Sequence, residues 1–127
     1  MEIEKEYTAE ETGLVLNRFV SRYIDPKKLL KYGLLWNSLK DETVRVCVPF
    51  AQVAACGFLR GKKMFLYDER QKRLYRVSWE AIVRFVDQLE PWEENIDFLL
   101  FDKSLQWFAA ITHEDLQTIC GGIDLES

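Results

Sequence analysis

The chain has 127 residues, of which 48% are hydrophobic and 30% are charged, and it carries a net charge of −4. This length suits one domain with its own core, and the mixed composition excludes a disordered or collagen-like chain. No apolar run approaches the ~20 residues that span a bilayer, and the first residues lack the pattern of a signal peptide. We therefore expect a single cytoplasmic domain, residues 1–127, with no membrane association.

Charge is distributed unevenly along the chain. Residues 13–40 and residues 60–76 each carry a net charge of +5, whereas the chain from Val77 onward carries −9. An asymmetry of this kind bears on partners and says nothing about fold. The three cysteines, Cys47, Cys56 and Cys120, lack any CxxC spacing. We expect them to be reduced, buried small side chains rather than disulfide or zinc ligands.

Helical patterns occupy the first third of the chain. Thr8 and Glu11 have the spacing of a capping box, which predicts a helix starting there. Apolar residues then repeat at helical spacing as far as Ile24. Asp25 followed by Pro26 predicts a second, short helix that ends near Gly33. Residues 8–40 are therefore expected to form a helical part of the domain.

Residues 43–120 are expected to contain the sheet. An extended segment at 43–48 precedes a small helix from Pro49, for which Gly57 is the predicted left-handed cap. Residues 63–67 and 74–77 predict one hairpin, and residues 96–101 and 105–111 predict a second. Both faces of the second hairpin are apolar, so helices should cover each face.

Two further helices are predicted after the first hairpin. Ser78 is a suitable N-cap for a helix that ends before Pro91. Residues 114–119 predict a closing helix that ends at Gly121 and Gly122. The order of elements favours an α+β domain whose antiparallel sheet is built from two hairpins with helices packed against it.

The only histidine, His113, lies between Thr112 and Glu114. No second histidine or paired cysteine completes a zinc site, so we interpret Thr112 or His113 as the cap of the closing helix. The acidic residues at 93–97 are interpreted as solvated loop positions rather than a glycosidase pair. Phosphate-binding and hydrolase motifs are absent from the sequence. We expect no catalytic residue, no metal and no cofactor.

Several blocks of the sequence together suggest a family. Trp36 after a helical lead, the small residues 51–56, the FLYDE hairpin and the block IDFLLFDKSLQWFAAITHED occur in that order. This order resembles a group of small bacterial proteins in which such a hairpin leads into a Thr-His-Glu triplet. Many of these resemble immunity proteins of polymorphic and contact-dependent growth-inhibition toxin systems. The resemblance is sharpest over residues 96–115.

The resemblance implies a non-catalytic antitoxin, which binds a cognate toxin domain and blocks it. A basic nuclease domain would suit the acidic second half of this chain, since complementary charge speeds encounter. Core packing is the default interpretation for a tryptophan, and it stays open for Trp92. Because proline and acidic residues flank it, Trp92 also fits an aromatic interface anchor within an acidic rim. The predicted partner-binding residues are Glu90, Trp92, Glu93, Glu94, Asp97 and Asp102.

The alternative is a nucleic-acid-binding or regulatory module that uses the basic hairpin, residues 60–76. This hairpin interleaves aromatic and cationic side chains, as single-strand binders do. Its predicted contacts are Lys62, Lys63, Arg70 and Arg73. The low overall pI of about 5.1 argues against a broad electrostatic footprint for nucleic acid. Neither interpretation predicts an oligomeric state.

Overall fold

Seven antiparallel strands form one sheet in the computed structural model, which describes all residues from 1 to 127. The strands are β1 Lys5–Glu6, β2 Val46–Pro49, β3 Lys63–Asp68, β4 Arg73–Ser78, β5 Phe98–Phe101, β6 Phe108–Ile111 and β7 Gln117–Gly121. Their spatial order is β1-β4-β3-β5-β6-β7-β2. The α-helices are α1 Ala9–Tyr23, α2 Pro26–Tyr32, α3 Phe50–Ala55 and α4 Trp79–Asp87, and short 3-10 turns cover Leu35–Asn37 and Pro91–Glu93. The prediction of an α+β domain is confirmed.

Both faces of the sheet are covered, as the two apolar faces of β5 predict. Leu66 and Leu100 belong to a core on one face that includes Ile82 of α4. Phe101 belongs to a second core on the other face, which includes Phe19 of α1. Every residue of β5 and of β6 is buried. The central hairpin therefore lies between two helical layers, and none of the helices is long and apolar enough to cross a membrane.

The predicted helix boundaries are confirmed where polar caps mark them. The Thr8 side chain accepts a hydrogen bond from the Glu11 amide, and the Glu11 side chain accepts one from the Thr8 amide. Asp25 caps α2 through the Lys27 amide. Gly33 ends that helix with a φ of 76°, a conformation that glycine adopts without steric cost. The Ser78 side chain likewise accepts from the Ala81 amide at the start of α4.

The prediction of a closing helix at residues 114–119 is wrong. Residues 117–121 form β7, which pairs with β6 on one side and with β2 on the other. The β-branched residues Thr118 and Ile119 suit a strand, and Asp115 and Leu116 turn the chain with φ values of 55°. Thr112 consequently caps a turn, because its hydroxyl oxygen accepts from the Glu114 amide at 3.3 Å. The prediction that Thr112 or His113 caps a closing helix is therefore also wrong.

Two smaller expectations also change. Gly57 is not a left-handed cap, since α3 ends at Cys56 in an extended conformation and the Gly57 amide donates to the Ser127 carbonyl at 3.0 Å. Cys56 and Cys120 are buried as expected, but Cys47 lies exposed on the edge strand β2. The strand β1, which no pattern in the sequence predicts, extends the sheet beyond β4.

Gly121 is required by close packing within the last hairpin. A Cβ atom at this position would lie 2.3 Å from the Phe108 ring. We expect Gly121→Ala to lower the free energy of unfolding by about 1–3 kcal/mol, because the ring must shift within a filled core. Gly13→Ala is the matched control, since nothing lies within 4 Å of a Cβ on that exposed helical residue. It should raise stability by about 0.5–1 kcal/mol. Urea unfolding of both variants measures the contrast, and equal effects would contradict it.

Candidate functional site

Asp97 lies directly before β5, and its side chain has no exposed area. Its carboxylate accepts hydrogen bonds from Trp36 Nε1 at 3.0 Å, from Arg70 Nε at 2.8 Å and from the His113 amide at 3.2 Å. The His113 ring nitrogen Nδ1 lies 2.9 Å from the same carboxylate. A buried carboxylate is tolerated only when it is paired and hydrogen-bonded in this way.

The sheet register brings these side chains together. Asp68 pairs with Phe98, and Phe98 pairs with Ile111, so the β3–β4 turn and the β6–β7 turn both lie beside Asp97. The Glu69 amide donates to the Asp97 carbonyl at 3.0 Å. A fourth segment, the 3-10 turn after α2, contributes Trp36. We refer to Trp36, Glu69, Arg70, Asp97 and His113 as the Asp97 cluster.

Glu69 is a second buried carboxylate in this cluster, with 9% of its surface exposed. Its side chain accepts from the Leu35 amide at 2.6 Å and from the Trp36 amide at 3.4 Å. Burial raises the pKa of Glu69 to about 7, and the negative charge of Asp97 acts in the same direction. The two amides oppose this rise, because they stabilise the charged form.

His113 and Asp97 form a histidine–carboxylate pair. The carboxylate fixes Nδ1 as the donor and leaves Nε2 as the second ring nitrogen of a side chain that is 35% exposed. Hydrolases use such a pair to orient a base toward a nucleophile. Here Nδ1 lies within hydrogen-bonding distance of both Asp97 oxygens, at 2.9 and 3.1 Å, and the Trp36 ring packs edge-on against the imidazole at 5.9 Å between centroids. The contacts assign His113 to holding the β6–β7 turn against Trp36.

The remaining ionisable groups form no further constellation. No group of three or more histidine, cysteine or acidic side chains is arranged to hold a metal ion. Burial raises the pKa of the Cys120 thiol to about 12. A thiol with so high a pKa is un-ionised at neutral pH and is therefore a poor nucleophile.

The second feature at this end of the sheet is the loop of residues 90–94, the Trp92 loop. The Glu93 carboxylate accepts from the Glu90 amide at 3.0 Å, and the Glu93 amide donates to the Glu90 backbone carbonyl at 2.8 Å. Pro91 at the first position of the 3-10 turn further fixes the backbone. Trp92 projects from this ordered turn with 79% of its surface exposed.

The predicted acidic site is only partly assembled. Glu90, Trp92 and Glu93 are exposed on one turn, with Glu94 half-buried beside them. Asp97 is a correction, because it is buried and its oxygens are occupied by donors from three residues, so it offers no rim charge.

Asp102 is a second correction. It follows the opposite end of β5, five residues of extended chain or roughly 15 Å from Asp97. Its carboxylate accepts from the Ser104 amide at 2.9 Å and from Trp107 Nε1 at 2.9 Å, which holds the turn after β5. Burial acts to raise the pKa of Asp102. The hydrogen bonds from Ser104 and Trp107 outweigh this effect and hold the pKa below its ordinary value. Asp102 therefore belongs to the hairpin turn and not to the Trp92 loop.

The predicted nucleic-acid contacts are dispersed and engaged within the protein. Lys63 pairs with Glu4 at 2.6 Å, and Arg73 pairs with Glu6 at 3.8 Å. Arg70, in the turn between β3 and β4, is held by Asp97 at the end of β3 opposite Lys63. The Lys62 ammonium lies over the Phe58 ring, 5.5 Å from its centroid.

Sequence reasoning missed the Asp97 cluster itself. One signal was available, since an aspartate placed directly before a fully apolar strand must find partners once that strand is buried. The identities of the partners come from tertiary register, because Trp36 and His113 are separated from Asp97 by 61 and 16 positions in the chain.

Comparisons with protein-family models, curated proteins and solved structures find no match for this chain. The resemblance to immunity proteins therefore rests on the residues quoted above.

The raised pKa of Glu69 predicts a specific pH dependence of stability. The folded state holds this proton up to about pH 7, whereas the unfolded chain releases it near the ordinary value of 4.5. The stabilising contribution of protonated Glu69 is therefore fully present below pH 4.5 and is lost as pH rises through 7. Glutamine imitates the neutral form of Glu69 at every pH. As pH rises from 4.5 to 7, the free energy of unfolding of Glu69→Gln should therefore increase by on the order of 2 kcal/mol relative to that of the wild type.

Urea unfolding of the wild type and of Glu69→Gln at both ends of that pH range measures this difference. Glu10→Gln is the control, because Glu10 is an exposed glutamate in the first turn of α1. Its difference from the wild type should stay constant across the range. A constant difference for Glu69→Gln as well would contradict the assignment of a buried, neutral Glu69.

Proposed function

We propose that this protein is a non-catalytic binding protein whose partner is a basic protein domain, and that the Trp92 loop is the contact surface. The observation that supports this proposal is the 79% exposure of Trp92 on an ordered acidic turn. In the setting that the immunity resemblance implies, the partner is a cognate toxin domain, and binding neutralises it.

An exposed tryptophan on a fixed turn has a physical advantage in binding. Tryptophan is enriched among interface hot spots, because burying its large ring in a partner pocket removes much apolar surface from water. Binding usually loses free energy to the ordering of loops at the interface. The reciprocal bonds between Glu90 and Glu93 order this turn in the free protein, so less of that cost falls on association.

Charge supports a basic partner. Glu90 and Glu93 are exposed on either side of Trp92, and the half-buried Glu94 follows. The chain from Val77 onward carries a net charge of −9. Rim charges of this sign attract a positively charged domain and raise its association rate at low salt. Asp97 and Asp102 are excluded from the proposed surface, since their oxygens are used inside the protein.

Nucleic-acid binding through the basic hairpin remains the alternative. The contacts of the predicted residues do not favour it. Three of the four residues that would carry it, Lys63, Arg70 and Arg73, are paired with carboxylates of the same chain.

Trp92→Ala tests the aromatic contact. Tagged wild type and Trp92→Ala are used to capture partners from the native lysate, and the retained proteins are identified by mass spectrometry. We expect the wild type to retain one basic protein and the variant to bind it at least about 30-fold more weakly, the loss typical of a hot-spot tryptophan. Equal affinity of the two proteins for the captured partner would contradict the proposal.

The charge contribution is tested with the triple variant E90Q/E93Q/E94Q, in which glutamine keeps the acceptor that caps the turn. Its association rate with the captured partner should be lower at low salt and should converge with the wild-type rate as salt increases. The variant E10Q/E42Q/E126Q makes the same change in net charge at exposed glutamates elsewhere. If this control slowed association as much as the triple variant, general charge rather than the Trp92 loop would be responsible.

A further inference from the structure

Residues 2–7 form an N-terminal arm along the outer edge of β4. The Tyr7 amide donates to the Leu74 carbonyl at 3.0 Å, and the Glu4 amide donates to the Arg76 carbonyl at 3.0 Å. Between them, the two residues of β1 pair with Tyr75 and Arg76. The arm therefore occupies an edge that would otherwise present unpaired backbone groups.

Every acidic side chain of the arm is paired with a cation of the domain body. Glu4 reaches two of them, with Lys63 Nζ at 2.6 Å and Arg76 Nε at 3.8 Å. The other two pairs are Glu6 with Arg73 at 3.8 Å and Glu2 with Arg84 at 3.4 Å. The β4 edge and its surroundings thus form a cationic track that matches glutamates at alternate positions of an extended chain.

A cavity of about 320 Å³ adjoins this track. Its wall includes the Tyr7 and Phe65 rings, which pack edge-on at 5.6 Å between centroids. Lys103 lines the same cavity beside Lys63 and Arg76. Asp102 also lines the cavity, so its wall combines two aromatic rings with three cations and one carboxylate.

The arm itself is held by interactions that exchange readily. Residues 1–6 are all exposed, and the regular ladder with β4 is two residues long. The glutamates of the four ion pairs are between 39% and 80% exposed, so water and salt compete with each pair. Segments with few buried contacts lie at the low end of local stability.

We propose that the outer edge of β4, with Lys63, Arg73, Arg76 and Arg84, is a docking site for an extended acidic segment of a partner protein. The N-terminal arm occupies this site in the free protein, and the incoming segment replaces it by strand addition. The site is built from other residues than the Trp92 loop, so the inference goes beyond the function proposed above and stands without it.

A peptide partner fits the site better than a nucleic acid does. The edge presents the carbonyl oxygens of Leu74 and Arg76, and both are bonded by backbone amides of the arm. A second peptide strand supplies such amides at the required spacing, together with alternating side chains. A phosphate backbone supplies negative charge without these donors.

The test uses the full chain and a fluorescein-labelled peptide with the sequence of residues 1–7, MEIEKEY. Peptide binding is followed by fluorescence anisotropy at low salt. The variant E2Q/E4Q/E6Q weakens the resident arm while leaving the cationic track intact. We expect it to bind the peptide about tenfold more tightly than the wild type, because the tethered arm competes less well. The control E10Q/E42Q/E126Q has the same net charge and should bind as the wild type does.

Two further variants make the result specific. Adding K63Q/R76Q to the arm variant should abolish the gain, and the peptide MQIQKQY should not bind. Circular dichroism verifies folding, and the single variant E4Q, which loses contacts to two cations, replaces the triple variant if that variant unfolds. Unchanged peptide affinity in the arm variants would overturn the proposal. Tighter binding of a single-stranded oligonucleotide than of the peptide would also overturn it, in favour of nucleic acid.

Discussion

The buried carboxylate of Asp97 is the interaction on which one whole end of this domain depends. Its donors come from Trp36, Arg70 and His113, which lie on three segments distant in the chain. Removing one partner of such a buried group typically costs about 3–5 kcal/mol, because the charge left behind stays desolvated. Asp97 therefore fixes how the helical N-terminal part, the β3–β4 turn and the β6–β7 turn meet at the start of β5.

This arrangement separates positions that fold the domain from positions that are free to bind. Asp97 and Asp102 are acidic, yet their oxygens accept hydrogen bonds from the protein's own donors. Glu90 and Glu93 bond to each other's backbone and still remain on the surface, on either side of an exposed tryptophan. At the far edge of the sheet, the acidic arm covers a basic strand. The acidic and basic side chains at that edge are thus paired with each other, whereas the glutamates of the Trp92 loop have no ion-pair partner.

The sequence predicted elements well where a local signal decided the structure. The capping box at Thr8, the turn at Gly33 and the apolar runs of β3 and β5 depend on near neighbours. The prediction of a closing helix failed because residues 114–119 have only a weak local preference for helix. Pairing with β6 decided their conformation. β1 is two residues of a highly charged segment, which no strand pattern reveals. For the site, the residues flanking Trp92 left both core packing and exposure open, and the structure shows exposure. The burial of Asp97 depends on residues up to 61 positions away in the chain.

Amide hydrogen exchange of Asp97→Asn compared with the wild type tests most directly whether this one carboxylate holds the end of the sheet together. Asparagine keeps the size of the side chain. It removes the negative charge that pairs with Arg70 and replaces one of the two acceptor oxygens by an amide group. We expect faster exchange in the segments 34–38, 69–71 and 112–116, while the strands β3 and β5 keep their protection. Unchanged exchange in those three segments, or an equal loss of protection across the whole sheet, would contradict it.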